Sequence, residues 1–225
     1  MSLSAAFYRG LDFLSTFLSK KSGIKFIINQ YREQIRLSYL ATQTIAPRME
    51  TKDIVYIALF AGIFAALAVI PPLLFVPPVP ITAQSLGPML AGSILGAKRA
   101  ALAALLFIAI MATGLPIMAG GHGGIGVIMG PSGGFILGFP VSAYMIGLLF
   151  EINWHRLNLA WAFIYILLGG IMVLYIFGLL WISILFDVQL YKAFLSSCIF
   201  IPGDMIKATI AATTAMVIKR TYPLM

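Results

Sequence analysis

The sequence predicts an all-α integral membrane protein, a bundle of six transmembrane helices with an N-terminal amphipathic helical extension. Three observations predict it. Of 225 residues, 61% are hydrophobic and only 10% are charged, whereas a water-facing globular surface uses roughly 25% charged residues. Six apolar runs, each near the length that crosses about 30 Å of hydrocarbon, are separated by breaks of charge, proline or glycine. Lysine and arginine recur at alternate breaks, the pattern that cytoplasmic enrichment of basic residues produces.

The charges divide the chain. Residues 1–53 hold eight Lys/Arg and four Asp/Glu, and residues 54–225 hold seven and three. Residues 1–50 are accordingly read as an interfacial segment and residues 51–225 as the membrane domain. In the first, Leu3, Phe7, Leu11, Leu14 and Leu18 recur at helical spacing, as do Ile24, Ile27, Ile28, Tyr31 and Ile35, with Lys25, Arg32 and Arg36 beside them. Such a pattern suits helices lying in the inner headgroup layer. A dispensable tail or a transit peptide is the alternative. The run LDFLSTFLS is interrupted by Asp12 and three hydroxyl residues, so no secretory core is expected there. The net charge of +8 sits mostly in this segment and at helix ends. Anionic lipid headgroups account for that placement more simply than nucleic acid. A single cysteine, Cys198, excludes an intrachain disulfide and a cysteine-based metal cluster, and its apolar neighbours predict a small buried packing residue.

The first span is expected over residues 54–70. It stops at PPLLFVPPVP, residues 71–80, because proline lacks the amide donor and clashes with the preceding turn. The second runs over about 81–96 and ends at Lys98-Arg99, and the third covers about 100–118. AGGHGGIGVIMGPSGG, residues 119–134, is too glycine-rich for a stable helix. A fourth span reaches about residue 150, followed by the polar break EINWHRLN at 151–158. The fifth covers about 159–186, with Trp161 and Trp181 near its ends as interfacial aromatics. After the turn DVQLYK at 187–192, the sixth runs to about 218 and ends in Lys219-Arg220. With the N-terminus inside, Lys52, Lys98 with Arg99, Arg156, and Lys219 with Arg220 all fall on the inner side. The outer side holds only Lys192, offset by Asp187. Both termini are therefore expected in the cytoplasm, with the chain multi-pass in the plasma membrane.

Asp204 and Lys207, in FIPGDMIKA at 200–208, lie well inside the sixth apolar run. An ionisable group at that depth costs at least about 2.5–3.5 kcal/mol on insertion scales. Three residues apart, the two share a helical face and can pair. Either they lock a helix interface or they point into a substrate cavity. Pro202 favours the cavity: it frees the Cys198 carbonyl at membrane depth, which lipid would not tolerate and a protein-lined cavity would. Broken helices with mid-membrane charges are where transporters often place their substrate.

The glycine-rich segment, with Gly120, Gly121, Gly123 and Gly124 around His122, can fold its backbone closely over a ligand from the outer side; an ordinary glycine-rich turn is the alternative. In the first span Ala58, Gly62 and Ala66 recur at intervals of four, as do Ala61 and Ala65. Small residues so spaced permit close helix approach, either within the bundle or against another membrane subunit. No phosphate-binding loop occurs, since GSILGAK at 92–98 has the wrong spacing. Neither histidine has a partner at metal-ligand spacing, and no nucleophile signature appears, so the chain is not read as an enzyme. If ATP drives its work, the ATPase is another chain.

In PVPITAQ from residue 78, LGPMLAGSILGAKR at 86–99, GLPIMAGGHGGIGVIMGPSGGF at 114–135 and IPGDMIK at 201–207, residues 51–220 resemble the BioY family, the biotin-specific substrate-binding (S) components of energy-coupling-factor transporters. Phe135 stands where many members have tyrosine, and His122 is not typical of the family. The resemblance implies a six-helix fold that binds biotin from outside, with a transmembrane coupling (T) subunit and two cytoplasmic ATPases as partners. Biotin is then cargo, and no cofactor is expected. The resemblance also places Asp204 and Lys207 in the biotin site and turns the alanine-rich first helix toward the T subunit. Thr82 and Gln84 are expected as further polar contacts at the mouth of the second helix. An S component for another small vitamin, or a self-sufficient secondary transporter, are the competing readings, and a homo-oligomer is compatible with each.

Overall fold

The computed structural model describes residues 49–72 and 79–221. The interfacial segment expected over residues 1–50 falls outside these residues except for its last two, as does the middle of the proline-rich stretch. Among the described residues the secondary structure is helical, apart from isolated bridge residues such as the antiparallel pair Met118 and His122.

Helix α1 (Thr51–Ala66) is extended by a 3-10 turn to Val69. A capping box starts it: the Glu50 side chain accepts from the Asp53 backbone, and Asp53 accepts from the Glu50 N–H at 2.9 Å. A 3-10 turn (Ala83–Ser85) leads into α2 (Leu86–Leu95), and α3 (Ala97–Ala112) follows directly. The break between them is Gly96 at φ +83°, a left-handed conformation that costs glycine nothing. Glu151 then accepts from the Ala97 N–H, which has no partner within the helix, at 2.8 Å. Asp53 pairs with Arg99 at 2.9 Å and ties the start of α1 to α3.

The glycine-rich segment contains a five-residue helix, α4 (Ile125–Met129). This corrects the expectation of no helix there: the four apolar residues of IGVIM carry one turn between the glycines. Helix α5 is Gly133–Ile152. Helix α6 (Leu159–Phe186) is unbroken in length but π-helical over Leu167–Met172. Helix α7 (Leu190–Ser197) passes through a 3-10 turn (Cys198–Phe200) into α8 (Ile201–Thr221). Cys198 is half-buried and donates to the Phe194 carbonyl, so it is less enclosed than its apolar neighbours suggested.

Among the described residues, four helical stretches are long and apolar enough to cross a membrane: Thr51–Val69, Gly133–Ile152, Leu159–Phe186 and Leu190–Thr221. At 10 residues α2 is about 15 Å long, and α3 with 16 residues is about 24 Å. The second and third expected spans are therefore shorter than their apolar runs. Gly96 divides them, and the third ends at Ala112 rather than near 118.

Helix α5 is the centre of the bundle, packing against α2, α3 and the second half of α6, while α8 packs on α2 and the first half of α6. Backbones meet closely where glycine removes the side chain. A Cβ on Gly92 would lie 2.6 Å from the Ala143 carbonyl oxygen, and one on Gly147 would overlap the Gly96–Ala97 peptide. Around these crossings Phe64, Met89, Phe107, Ile136, Ile146 and Phe150 form a fully enclosed apolar core. Water drives none of this between helices in lipid, so close van der Waals fit carries the association.

Candidate functional site

Asp204 lies in the first turn of α8, where the helix dipole favours a negative charge. Pro202 occupies the second helical position, where its missing N–H leaves no intrahelical bond unmade. The 3-10 turn before it delivers the chain to that start. Lys207 is one turn further on, and its ammonium meets Asp204 Oδ1 at 2.9 Å. The pair expected from the spacing is thus formed, with Asp204 7% exposed.

A buried ion pair is tolerated when further hydrogen bonds satisfy its remaining capacity. Two other elements supply them here. Lys207 Nζ donates to Ser85 Oγ at 2.8 Å, and Ser85 donates to Asp204 Oδ1 at 3.4 Å. From α6, the Tyr175 hydroxyl reaches Asp204 Oδ2 at 3.1 Å and the Ser197 carbonyl at 3.4 Å. Phe135 meets the Tyr175 ring edge-on, with centroids 6.4 Å apart.

This network lines a cavity of about 550 Å³. Small-molecule sites run roughly 300–1,000 Å³, largely apolar with a few convergent polar groups. Most of the wall is apolar, with Met118, Phe135, Ile136, Phe139 and Leu174 among its residues. Ser85, Tyr175, Asp204 and Lys207 supply polar groups to the lining, and the glycine-rich segment contributes another part of the wall, His122 and Ser132 included.

That segment is ordered by its own bonds. Met118 donates to the His122 carbonyl, Gly121 to Met118 and Gly124 to Met111, each at 2.8–2.9 Å. Gly120 and Gly121, both at positive φ, make the exposed turn. Trp181, expected in an interfacial belt, instead donates from its indole to the Gly130 carbonyl at 2.9 Å and pins the far end of the segment. Trp161 is half exposed and stacks on Tyr165 at 5.6 Å.

Of the residues singled out from sequence, Asp204, Lys207, Thr82, His122 and Gly123 line the cavity. Gly120, Gly121 and Gly124 stand outside its lining and shape the turn instead. Gln84 is also outside it: the side chain is fully buried, with its amide bonded to backbone groups of the glycine-rich segment. On α1, Ala58, Gly62 and Ala66 are exposed on one face, Ala65 is half-buried, and Ala61 is 4% exposed and faces the core. Ser85 and Tyr175 are the site residues that sequence did not reveal. The only signal for Tyr175 was a hydroxyl within an apolar run, which needs a buried partner.

Three comparisons with known proteins bear on this arrangement. The sequence model of the BioY family matches residues 41–224. A biotin transporter BioY of Rhizobium etli is 43% identical over 183 residues, spanning 79% of this chain and 98% of that protein. A biotin transporter BioY of Rhodobacter capsulatus is 38% identical over 182 residues, spanning 76% and 95%. Among solved structures, the S-component for biotin from an ECF-type ABC transporter superposes with a TM-score of 0.74 at 28% identity, covering 80% of this chain and 97% of that one. With its family model matched over most of its length, the chain belongs to the BioY family.

Proposed function

We propose that this chain is a membrane-embedded biotin-capture component, a transporter S component rather than an enzyme, energised by separate T and ATPase subunits. The observation that carries the reading is the hydrogen-bond capacity left over at the Asp204–Lys207 pair. Lys207 has three N–H donors, of which Ser85 and Asp204 take two. Asp204 Oδ1 accepts from Lys207 and Ser85, while Oδ2 accepts from Tyr175 alone. One donor and one acceptor therefore remain side by side. A cyclic urea presents their complement, a carbonyl beside an N–H. The ring is neutral, and so is the pair that would receive it, which avoids burying a net charge.

In this pose the bicyclic ring and valeryl chain follow the apolar wall. The carboxylate reaches toward the glycine-rich side, where His122 and Ser132 line the cavity. The names of the relatives and of the solved neighbour support biotin as the ligand. We read the bundle as six membrane helices with both termini in the cytoplasm. In that reading α2 is a half-span completed by the turns around it. The exposed face of α1, with Ala58, Gly62 and Ala66 between Ile54, Val55 and Leu59, is flat enough to receive a helix of the T subunit.

Binding by the isolated chain tests the reading. Purified full-length protein is expected to retain radiolabelled biotin without ATP, and excess riboflavin or thiamine should not displace it. Displacement by either vitamin, or no retention of biotin, would redirect the assignment to another ligand.

A further inference from the structure

We propose that Gln84 is a positioning residue, a clasp that fixes the glycine-rich wall of the biotin site without touching biotin. The inference rests on the biotin reading of the cavity. Gln84 is 0% exposed, and the cavity walls are formed by its neighbours Thr82 and Ser85 instead. Its side-chain amide is used at both ends on one short stretch of backbone. Nε2 donates to the Ile117 carbonyl at 3.0 Å, and Oε1 accepts from the Ala119 N–H at 3.0 Å. The same nitrogen lies 3.5 Å from the Phe64 carbonyl near the end of α1.

A primary amide facing two backbone groups, two residues apart, reproduces the donor–acceptor pair that a neighbouring strand would offer. No strand is present there, and these backbone groups are partly buried, so leaving either without a partner would be costly. Gln84 removes that cost while holding Ile117–Ala119 against α1 and the start of α2. The stretch so held leads directly into wall residues: Met118 and Ala119 line the cavity, and Met118 in turn receives His122 through the isolated bridge. A shift of the clasped peptide therefore displaces the wall at Met118 and Ala119 while leaving the Asp204, Lys207, Ser85 and Tyr175 network in place.

A clasp and a ligand contact make different predictions for Gln84→Met, which keeps the length and volume and removes both hydrogen bonds. Biotin should dissociate from the variant about tenfold faster or more, and amide hydrogen exchange should accelerate across residues 117–123. The affinity ratio between biotin and 2-iminobiotin, which differ only at the ring carbonyl, should stay within about twofold of the unmodified protein's. A changed ratio with unaltered exchange would overturn the proposal and make Gln84 a ligand contact, and an unchanged dissociation rate would overturn it as well. Should the variant not fold, residue-resolved exchange on the unmodified chain decides. The Ala119 amide should then be strongly protected without any ligand, and exchange as fast as an unbonded loop amide would refute the clasp. The exchange readouts need no biotin, so they stand or fall apart from the choice of ligand.

Discussion

Replacing Asp204 with asparagine is expected to weaken biotin binding by roughly one to two orders of magnitude, the loss that follows when a hydrogen bond to a charged group, about 1.5–3 kcal/mol, disappears. The variant keeps the shape of the side chain, and its carbonyl oxygen can still face Lys207. Its NH2 group must then point at Tyr175, which can accept through its hydroxyl oxygen. What disappears is the spare acceptor on Oδ2 that a ring N–H would use. The ammonium of Lys207 also loses its counter-charge in a site where it is 14% exposed, so the variant should melt at a lower temperature as well. Equilibrium binding and a thermal melt on the same preparation separate the two effects. Undiminished affinity in a folded Asp204→Asn protein would remove Asp204 from the ligand site.

Gly147→Ala should do its damage to the fold itself. The added methyl would overlap the Gly96 carbonyl carbon and the Ala97 nitrogen, which are backbone atoms that no rotamer change can move. Overpacking of this kind costs about 1–3 kcal/mol and sometimes more, and a rigid helix crossing belongs at the upper end. The expected result is a melting temperature lower by roughly 10 °C, with loss of monodisperse protein. Gly62→Ala is the matched control. Nothing lies within 4 Å of the corresponding methyl on the exposed face of α1, so its stability should be unchanged or slightly improved. Equal effects of the two substitutions would show that the α5–α3 approach is not the constraint described here.

How much of this was legible in the sequence depends on which force made each feature. Asp204 and Lys207 stood out because charge within an apolar run is expensive, and their spacing of three fixed the pairing before any tertiary structure was known. The restart of the last helix near Pro202 was legible for a similarly local reason. Ser85 and Tyr175 were not, because they meet Asp204 across 119 and 29 residues of chain. That meeting is decided by how α2, α6 and α8 pack, and no periodicity encodes it. Gln84 was expected as a further polar contact at the mouth of the second helix. Its partners turned out to be backbone groups of a loop, which carry no signature of their own. Helices α2 and α3 also proved shorter than the apolar runs that announced them. Hydropathy reports how much residues avoid water, and it does not locate so local a break as Gly96 at positive φ, two residues before Lys98-Arg99.

The account is tested most directly by the structure of the purified chain with biotin bound. It predicts the ureido ring beside the ion pair, one ring N–H within about 3 Å of an Asp204 oxygen and the ring carbonyl at the same distance from Lys207 Nζ. Biotin found with its ring away from these two side chains, and their mutual pairing undisturbed, would contradict it.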